Sequence, residues 1–337
     1  MIAFLVRRTL FLALVVLGAL AVVFAMAYVI PADPARAALG QDASEEQVRA
    51  YRQQMGLDDP LWLQFLRYVG RLARGDLGTS IVTGNRVADD LREAVPATVE
   101  LVVPSILVSL LLGVVLGTMS AVWRGRLVDH AGRVLSILGM SLPVFWFGLV
   151  LQLIFYKDLS LLPVGGRLPL TAVPPEPITG LLTVDGLLTG NFALVREACR
   201  HLVLPVITLS TVSIAAVARI TRASLLDVLG RDYVRTARSK GLSERATVYK
   251  HALRNALIPV VTVFGLRVGV MLGGAVLTET IFAWPGIGRY AFYGLRQLDL
   301  PVVSAFVVYV TLAYAILNML VDASYSLLDP RIRTAAE

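Results

Sequence analysis

The sequence predicts an all-α, multi-pass membrane protein, and three observations support this fold class. Of its 337 residues, 56% are hydrophobic and only 16% are charged, whereas a soluble domain carries about 25% charged residues. The apolar residues fall in blocks of about 20, the length of helix that crosses a bilayer core. Basic residues concentrate in alternate loops between these blocks. Helices are expected because lipid offers the backbone no hydrogen-bond partner.

Six apolar blocks are predicted to be transmembrane helices. They are Thr9–Ile30, Thr98–Val122, Val134–Tyr156, Leu202–Ile220, Ile258–Ala283 and Val302–Leu327. The first block could instead be a cleaved signal peptide, with Arg7 and Arg8 as its charged start and residues 35–37 as its cleavage site. The apolar region of a signal peptide is about 7–15 residues long. This block is longer and further spans follow it, so a retained helix is predicted.

The charges of the loops predict which ends face the cytoplasm. One set of loops holds 16 Lys/Arg against 6 Asp/Glu; it comprises the N-terminus, Trp123–Arg133, Arg219–Arg254 and the tail from Asp329. The other set holds 14 Lys/Arg against 15 Asp/Glu. Because short basic loops stay in the cytoplasm, both termini are predicted to be cytoplasmic. The segments Pro31–Val95 and Lys157–Arg200 are then external.

The net charge of +7 does not indicate nucleic acid, because no basic patch is interleaved with aromatic residues. Basic loops that face anionic membrane lipid explain this charge. Within the first external segment, Ser44 and Gln47 have capping-box spacing, which predicts a helix that runs to Met55 and stops at Gly56. The other local predictions are a helix from about 59 to 75, a turn at 83–85 and an irregular loop at 157–200.

The cytoplasmic segment Arg219–Arg254 is long enough for two helices of its own. Apolar residues recur at helical spacing from Leu225 to Val234, and Gly241 is predicted to end that helix. Ser243 is a suitable N-cap for the next helix. The product is a basic amphipathic helix–turn–helix. The residues alone leave two interpretations open, a helix that lies on anionic lipid and a docking element for a cytoplasmic partner.

Two charged residues lie within the fifth predicted span. Arg267 is near mid-membrane, where arginine costs about 2.5–3.5 kcal/mol on insertion scales. A functional role or a structural pairing with another helix would account for it. Glu279 is twelve positions further along, about 18 Å on a helix, so the two cannot pair within it. We interpret Glu279 either as an outer-gate contact or as an interfacial carboxylate.

The sequence gives no indication of an enzyme. Cys199 is the single cysteine and the three histidines are far apart, so no metal-ligand spacing is present. None of the three lysines follows a glycine, so a phosphate-binding loop for ATP is not expected in this chain. An intramembrane enzyme would need a nucleophile with a base or a metal cluster. A secondary transporter would often show two related halves, and no internal repeat is found.

Several segments resemble one family of transport proteins. The segment "RTARSKGL" followed by "HALRNAL" resembles the Glu-Ala-Ala-x-x-x-Gly loop of ABC importer permeases, in the form usual for the peptide/nickel branch. Arg235 and Thr236 depart from the general pattern, and Arg254 replaces its late proline. Further similar segments, in the same order, are "PADPA", "GLDDPLWLQFLRYVGRLARGDLGTS", "LPVGGR", "RHLVLPVITLS", "ETIFAWPGIGRY" and "LLDPRIR". The chain is identified as a member of the dipeptide/oligopeptide/nickel permease family.

The resemblance implies a type I ABC importer permease in the bacterial inner membrane. It implies a second homologous permease, two ATP-binding subunits and an external solute-binding protein as partners. ATP and Mg would be bound by those subunits, with no cofactor in this chain. The implied domains are a first helix (1–30), an external region (31–95), a permease core (96–328) with its coupling loop (219–257), and a cytoplasmic tail (329–337).

The resemblance also assigns site residues. A short coupling helix would sit in a groove of the ATPase, and its expected residues are Thr236, Ala237, Arg238, Lys240, Gly241 and Leu242. Arg267 and Glu279 are candidates for the translocation path. No catalytic or metal-ligating residue is expected. Peptides are the expected solutes, and nickel chelates or glutathione are the alternatives. A secondary transporter is the weaker alternative for the function as a whole.

Overall fold

The structure is a computed structural model, and it describes residues 13–25, 35–36, 44–169, 171–172 and 175–328. Its helices are α1 (Ala13–Ala25), α2 (Glu45–Met55), α3 (Leu61–Ala73), α4 (Val87–Val122), α5 (Leu127–Ser141), α6 (Val144–Gln152), α7 (Leu182–Leu188), α8 (Phe192–Leu229), α9 (Asp232–Ser239), α10 (Leu253–Ile281), α11 (Ile287–Arg296) and α12 (Leu300–Leu328). Two π-helical stretches, Leu153–Asp158 and Thr247–Ala252, continue α6 and precede α10. Among the described residues no strand occurs beyond one bridge between Thr79 and Arg86.

The local predictions for the first external segment are confirmed. Ser44 caps α2 in a complete capping box with Gln47, and Gly56 ends the helix in the left-handed conformation at φ 62°. The predicted second helix is α3, preceded by Pro60. The turn at 83–85 closes the bridged hairpin 79–86, with Gly84 at φ 73°. These features depend on neighbours within a few positions, so the sequence determines them.

Within the described residues, four helices are long and apolar enough to cross a membrane: α4, α8, the helical run that contains α10, and α12. α1 is the described part of the first predicted span, whose two ends lie outside the described residues, as does the tail from Asp329. Two helices extend beyond the predicted spans that they contain. α4 begins at Val87 and α8 at Phe192, because hydropathy marks the apolar core of a helix and not the polar turns that extend it.

The third predicted span, Val134–Tyr156, was wrong as a single straight helix. α5 and α6 form a pair bent by 105°, which is either a broken span or a re-entrant loop. The break falls at Leu142 and Pro143. Proline lacks the N–H of a helical hydrogen bond and pushes the preceding residue into an extended conformation, which Leu142 adopts at ψ 129°. The loop predicted as irregular at 157–200 also contains α7 and the first turns of α8.

The described residues form two compact units, one from Met1–Val95 with Gly286–Ala315 and the other from Pro96–Pro285 with Ile316–Glu337. In the second unit α4 approaches α8 at two glycines. A Cβ on Gly113 would lie 2.6 Å from the Val217 side chain, and one on Gly117 would lie 2.5 Å from the Ala218 carbonyl oxygen. The spacing of small residues therefore sets this close helix contact. Gly273 on α10 makes no such contact, because it is exposed and no atom lies within 4 Å of an added Cβ.

In the first unit two aspartates fold the hairpin 79–86 onto the helices beside it. Buried Asp299 accepts hydrogen bonds from the Ser80 hydroxyl and from the backbone N–H groups of Ile81 and Val82. Asp90 accepts from Thr83 Oγ1, Asn85 Nδ2 and the Tyr290 hydroxyl, at 2.5, 3.0 and 2.7 Å. The hairpin is thus a fixed element and not a loose linker.

Candidate functional site

The predicted coupling segment contains α9, a short helix between two breaks. The apolar spacing from Leu225 to Val234 had predicted one continuous helix, and this was wrong. α8 ends at Leu229, and Gly230 and Arg231 form a break before α9 begins at Asp232. Arg231 is extended at ψ 149°, which interrupts the helix although the helical spacing of apolar residues continues across the break.

The turn after α9 has the geometry expected of Gly241. This glycine has φ 80°, a conformation in which a Cβ would be strained. Its N–H donates to the Arg238 carbonyl at 2.9 Å, and the Leu242 N–H donates to the Ala237 carbonyl at 3.3 Å. Ser243 then caps the next helical turn by accepting from the Ala246 N–H. The predicted turn and N-cap are therefore both confirmed.

Arg238 stabilises this turn through an exposed ion pair with Glu244, which follows the turn. Its guanidinium donates two hydrogen bonds to the Glu244 carboxylate, at 3.0 and 2.6 Å. These hydrogen bonds raise the pKa of Arg238 above its ordinary value, so the side chain stays charged. Within this chain, Glu244 is thus the acidic partner of Arg238.

Val234 anchors one face of α9 to the long helices α4, α8 and α10. Its side chain is fully buried in an apolar cluster. The cluster comprises Ala121 of α4, Leu225 of α8, and Val248, Ala252 and Ala256 of the π-helical stretch and α10. A force on α9 would therefore act on the ends of three long helices, because close-packed side chains transmit displacement.

The outer face of α9 is basic and open. Of the predicted coupling residues, Thr236, Arg238, Lys240 and Gly241 are exposed, while Ala237 and Leu242 are half-buried. Arg235 is exposed beside them. A helix with an apolar anchor on one face and exposed basic residues on the other can be held by its own chain and still dock against a partner.

A buried ion pair lies near the coupling segment. Arg222 of α8 donates two hydrogen bonds, at 2.6 and 2.9 Å, to the carboxylate of Asp129 on α5. Only 2% of the Asp129 side chain is exposed. Its carboxylate also accepts from the Gly125 N–H and lies 3.6 Å from Arg133. Arg222 is one helical turn from Leu225, so this pair connects α5 to the helix that carries the α9 cluster.

The other end of the same unit contains a network around the end of α10. Glu279 is fully buried and accepts a hydrogen bond of 2.6 Å from Thr98 of α4. Trp284, just past α10, is buried and donates its indole N–H to the Ala97 carbonyl at 2.7 Å. Glu279 therefore lies inside the protein, at a junction of α4 and α10, and not as an exposed interfacial carboxylate.

Arg167 connects the segment "LPVGGR" to α4 at the junction described above. Its guanidinium donates to Glu100 of α4 and to the Gly180 carbonyl, and Glu100 also accepts from Thr183 at the start of α7. Only 2% of the Glu100 side chain is exposed. A Cβ on Gly165 would lie 2.1 Å from the Phe282 carbonyl oxygen. Glycine is required there because the two backbones touch.

The loop before α7 is ordered by a second buried carboxylate. Asp185 accepts from the Thr179 hydroxyl and from the backbone N–H groups of Ile178, Thr179 and Gly180. Burial alone would raise the pKa of Asp185, but these hydrogen bonds hold it below its ordinary value. The carboxylate therefore stays ionised and keeps the loop closed.

The structure does not bring Arg267 and Glu279 together. Arg267 is half-buried near the middle of α10, and it has no hydrogen bond or ion pair with any described residue. Glu279 lies near the C-terminal end of the same helix. Arg267 is thus a charge without a protein partner in the described part of this chain, and Glu279 belongs to the buried junction.

Sequence reasoning missed four charged residues that the structure makes central: Glu100, Asp129, Arg167 and Arg222. Glu100 lies within a predicted span, where a carboxylate is costly and is usually paired, so its position was an available indication. Asp129 and Arg222 fall in predicted loops, where charges are common. Nothing local in the sequence distinguishes them.

Comparison with known proteins agrees with this architecture. Residues 113–334 match the family described as "Binding-protein-dependent transport system inner membrane component", and residues 1–102 match its N-terminal family model. The solved inward-facing MetNI methionine ABC transporter has a similar fold, with a TM-score of 0.53 and 15% identity. That match covers 71% of this chain and 96% of the other.

Curated relatives match over nearly the full length. The "Probable D,D-dipeptide transport system permease protein DdpB" of Escherichia coli (strain K12) is 48% identical over 95% of this chain and 94% of its own. The di/tripeptide transport system permease protein DppB of Pseudomonas aeruginosa (strain UCBPP-PA14) is 44% identical over 99% of both. The glutathione transport system permease protein GsiC of Salmonella paratyphi A (strain ATCC 9150 / SARB42) is 36% identical over 99% of both.

The all-α fold, the helices long enough to span a membrane, the short helix with its glycine turn and the two family matches lead to one conclusion. This chain belongs to the family of inner membrane permease components of binding-protein-dependent ABC transport systems.

Proposed function

We propose that this permease forms, with a second homologous permease, the path by which short peptides enter the cell. Two ATP-binding subunits dock beneath it, and an external solute-binding protein delivers the peptide. The observation that carries the coupling role is α9, anchored inside by Val234 and open outside through its basic residues. Peptides are favoured as solutes because the most similar relatives cited above are named as dipeptide and di/tripeptide permeases.

In this proposal both termini and α9 are cytoplasmic, and the junction around Glu279 lies at the external end. ATP-driven closure of the partner subunits would move α9, and the cluster around Val234 would pass that movement to α4, α8 and α10. Because α10 ends at the Glu279 junction, the same helix connects the two ends of the unit. The helix thus offers a rigid connection between ATP use and the external opening.

Proteoliposomes that contain the assembled complex test the proposal. Uptake of a radiolabelled dipeptide should require ATP, and it should also require the solute-binding protein. Uptake without ATP would contradict the importer mechanism. Competition with unlabelled di- and tripeptides, D,D-dipeptides and glutathione would define the solute. Uptake of glutathione but not of peptides would identify glutathione as the solute, which is the alternative that the similarity to GsiC suggests.

A further inference from the structure

The helix α3, predicted as part of an external region, has contacts that place it beside two membrane spans. Phe65 of α3 packs edge-on against Phe24 of α1, with ring centroids 5.3 Å apart, and Tyr68 stacks on the same ring at 5.8 Å. The Tyr68 hydroxyl also hydrogen-bonds Ser304 of α12. α3 therefore touches two apolar helices through one face.

These contacts fix the depth of α3 relative to those spans. Phe24 precedes Ile30, the predicted outer end of the first span, by six positions, about 9 Å on a helix. Ser304 lies four positions inside α12, about 6 Å from its start. The chain direction puts both of these ends on the same side of the membrane. α3 thus runs alongside the outer ends of the two spans and not above them.

A second face of α3, which overlaps the position of Phe65, carries large apolar side chains that are mostly exposed. Leu61, Trp62 and Leu66 are 55%, 65% and 57% exposed. At helical spacing they fall within an arc of about 140°. Exposed side chains of this size at this depth would meet lipid, and tryptophan is enriched at the boundary between headgroups and acyl chains.

The third face of α3 is basic. Arg67, Arg71 and Arg74 are exposed and fall within an arc of about 60°, opposite the exposed apolar side chains. Arg67 pairs with Asp59, while Arg71 and Arg74 form no ion pair within the described part of the chain. Free arginines on the polar face of an amphipathic helix suit phosphate groups.

We infer that α3 is an interfacial membrane helix, which lies in the outer leaflet with Leu61, Trp62 and Leu66 at the acyl boundary and Arg71 and Arg74 at lipid phosphates. The partner is phospholipid, not protein. An interfacial helix buries its apolar face about 5–10 Å into this region, which matches the depth set by Phe24 and Ser304. The inference goes beyond the proposed function and does not depend on the solute.

Quenching of Trp62 fluorescence tests the position of α3. The complete complex is placed in nanodiscs whose phospholipid carries bromine either high or deep on the acyl chain, and wild type is compared with Trp62→Phe. The difference isolates Trp62, because the three other tryptophans of this chain and those of its partners are common to both samples. The bromine high on the chain should reduce the Trp62 signal, and the deep bromine should reduce it less.

The same samples distinguish the other occupants of this face. No quenching of Trp62 by either lipid would overturn the inference. A blue shift of Trp62 that appears only after addition of the solute-binding protein would overturn it in favour of a protein partner. Trp62→Phe keeps the apolar face, so the fold and peptide uptake should be unchanged. The quenching is measured without transport, so the inference about α3 holds or fails independently of the proposed function.

A charge variant tests the basic face. Brominated anionic phosphatidylglycerol should quench Trp62 more than brominated phosphatidylcholine in wild type, and this difference should disappear in Arg71→Gln/Arg74→Gln. If the double variant keeps the same difference in quenching between the two lipids, the two arginines do not recognise anionic lipid. Arg49→Gln on α2 is the control, since this exposed arginine lies on another helix, and it should leave the preference for anionic lipid unchanged.

Discussion

At the scale of single residues, buried carboxylates hold the second unit together at both ends. Glu100 pairs with Arg167, Asp129 pairs with Arg222 and Arg133, and each carboxylate accepts from further donors, so neither charge is left unpaired. Removing one partner of such a pair leaves the other charge buried and is costly, whereas removing both can be nearly neutral. This asymmetry allows a pair to be tested without assuming its function.

The Asp129–Arg222 pair should behave as a coupled unit. Either Arg222→Met or Asp129→Asn alone should destabilise the complex by about 3–5 kcal/mol, and the double variant should recover part of the loss. Thermal unfolding of the detergent-solubilised complex measures this. The control is the exposed Asp227–Arg231 pair, whose single variants should change stability little. Additive losses in the Asp129/Arg222 double variant would show that the two side chains are not coupled.

Arg267 presents the opposite case, a half-buried charge with no described partner. We expect Arg267→Met to insert normally and to transport poorly, because the loss concerns a wetted path and not the fold. Arg267→Lys should restore part of the activity if a bare charge suffices, and little if a bidentate contact with carboxylate is needed. Uptake and ATPase activity are measured together in membrane vesicles. Normal transport by Arg267→Met would exclude a role in the path, and failure to assemble would indicate a structural pairing with another subunit.

At the scale of elements, α9 combines a fixed inner side with an open outer side. Val234 locks it to three long helices, while the turn at Gly241 directs the chain back toward α10. The π-helical stretch Thr247–Ala252 follows directly, and π-helical turns inside helices occur often at functional sites. The buried Thr247 hydroxyl has no hydrogen-bond partner within the described residues.

Gly241→Asp should abolish uptake and weaken the association with the ATP-binding subunits. A side chain at φ 80° strains the backbone by about 1–2 kcal/mol, and the new carboxylate opposes a basic docking face. Co-purification of the ATPase and peptide uptake are the measurements. Gly230→Asp is the matched control, because this glycine is exposed on the same loop at φ −83° and should tolerate the change. Equal loss in the control, or normal uptake by Gly241→Asp, would contradict the role given to this turn.

At the scale of the whole molecule, the charges of the loops predict the orientation in the membrane. The basic set of loops contains α9, and the balanced set contains α3 and α7. Cys199 is exposed near the start of α8, on the predicted external side. It is therefore a natural reporter of orientation.

Cysteine labelling of intact cells should distinguish the two sides. With an impermeant maleimide, native Cys199 and Ser44→Cys should react, the latter with Cys199 replaced by Ser. Ser243→Cys in the same background should react only after the cells are opened. The basis is the retention of short basic loops in the cytoplasm. If Ser44→Cys and Ser243→Cys react from the same side of intact cells, the predicted topology is wrong.

The sequence by itself determined the membrane class, the approximate apolar spans, the α2 cap and the left-handed turn at Gly241. Each depends on residues within a few positions or on the composition of a window of about 20 residues. The span α5–α6 shows the limit of composition. The window from Val134 to Tyr156 is mostly apolar and carries no charge, yet Pro143 breaks it into two helices.

Only the tertiary structure decided which charged and polar side chains meet. Arg222 and Asp129 are 93 positions apart, Arg167 and Glu100 are 67 apart, and Tyr68 and Ser304 are 236 apart. Such pairs depend on the rotation and depth at which helices pack, and these are set by close contacts such as those of Gly113 and Gly117 with α8. Hydropathy does not encode that geometry, because a helix of the same composition can be turned about its axis or shifted along it.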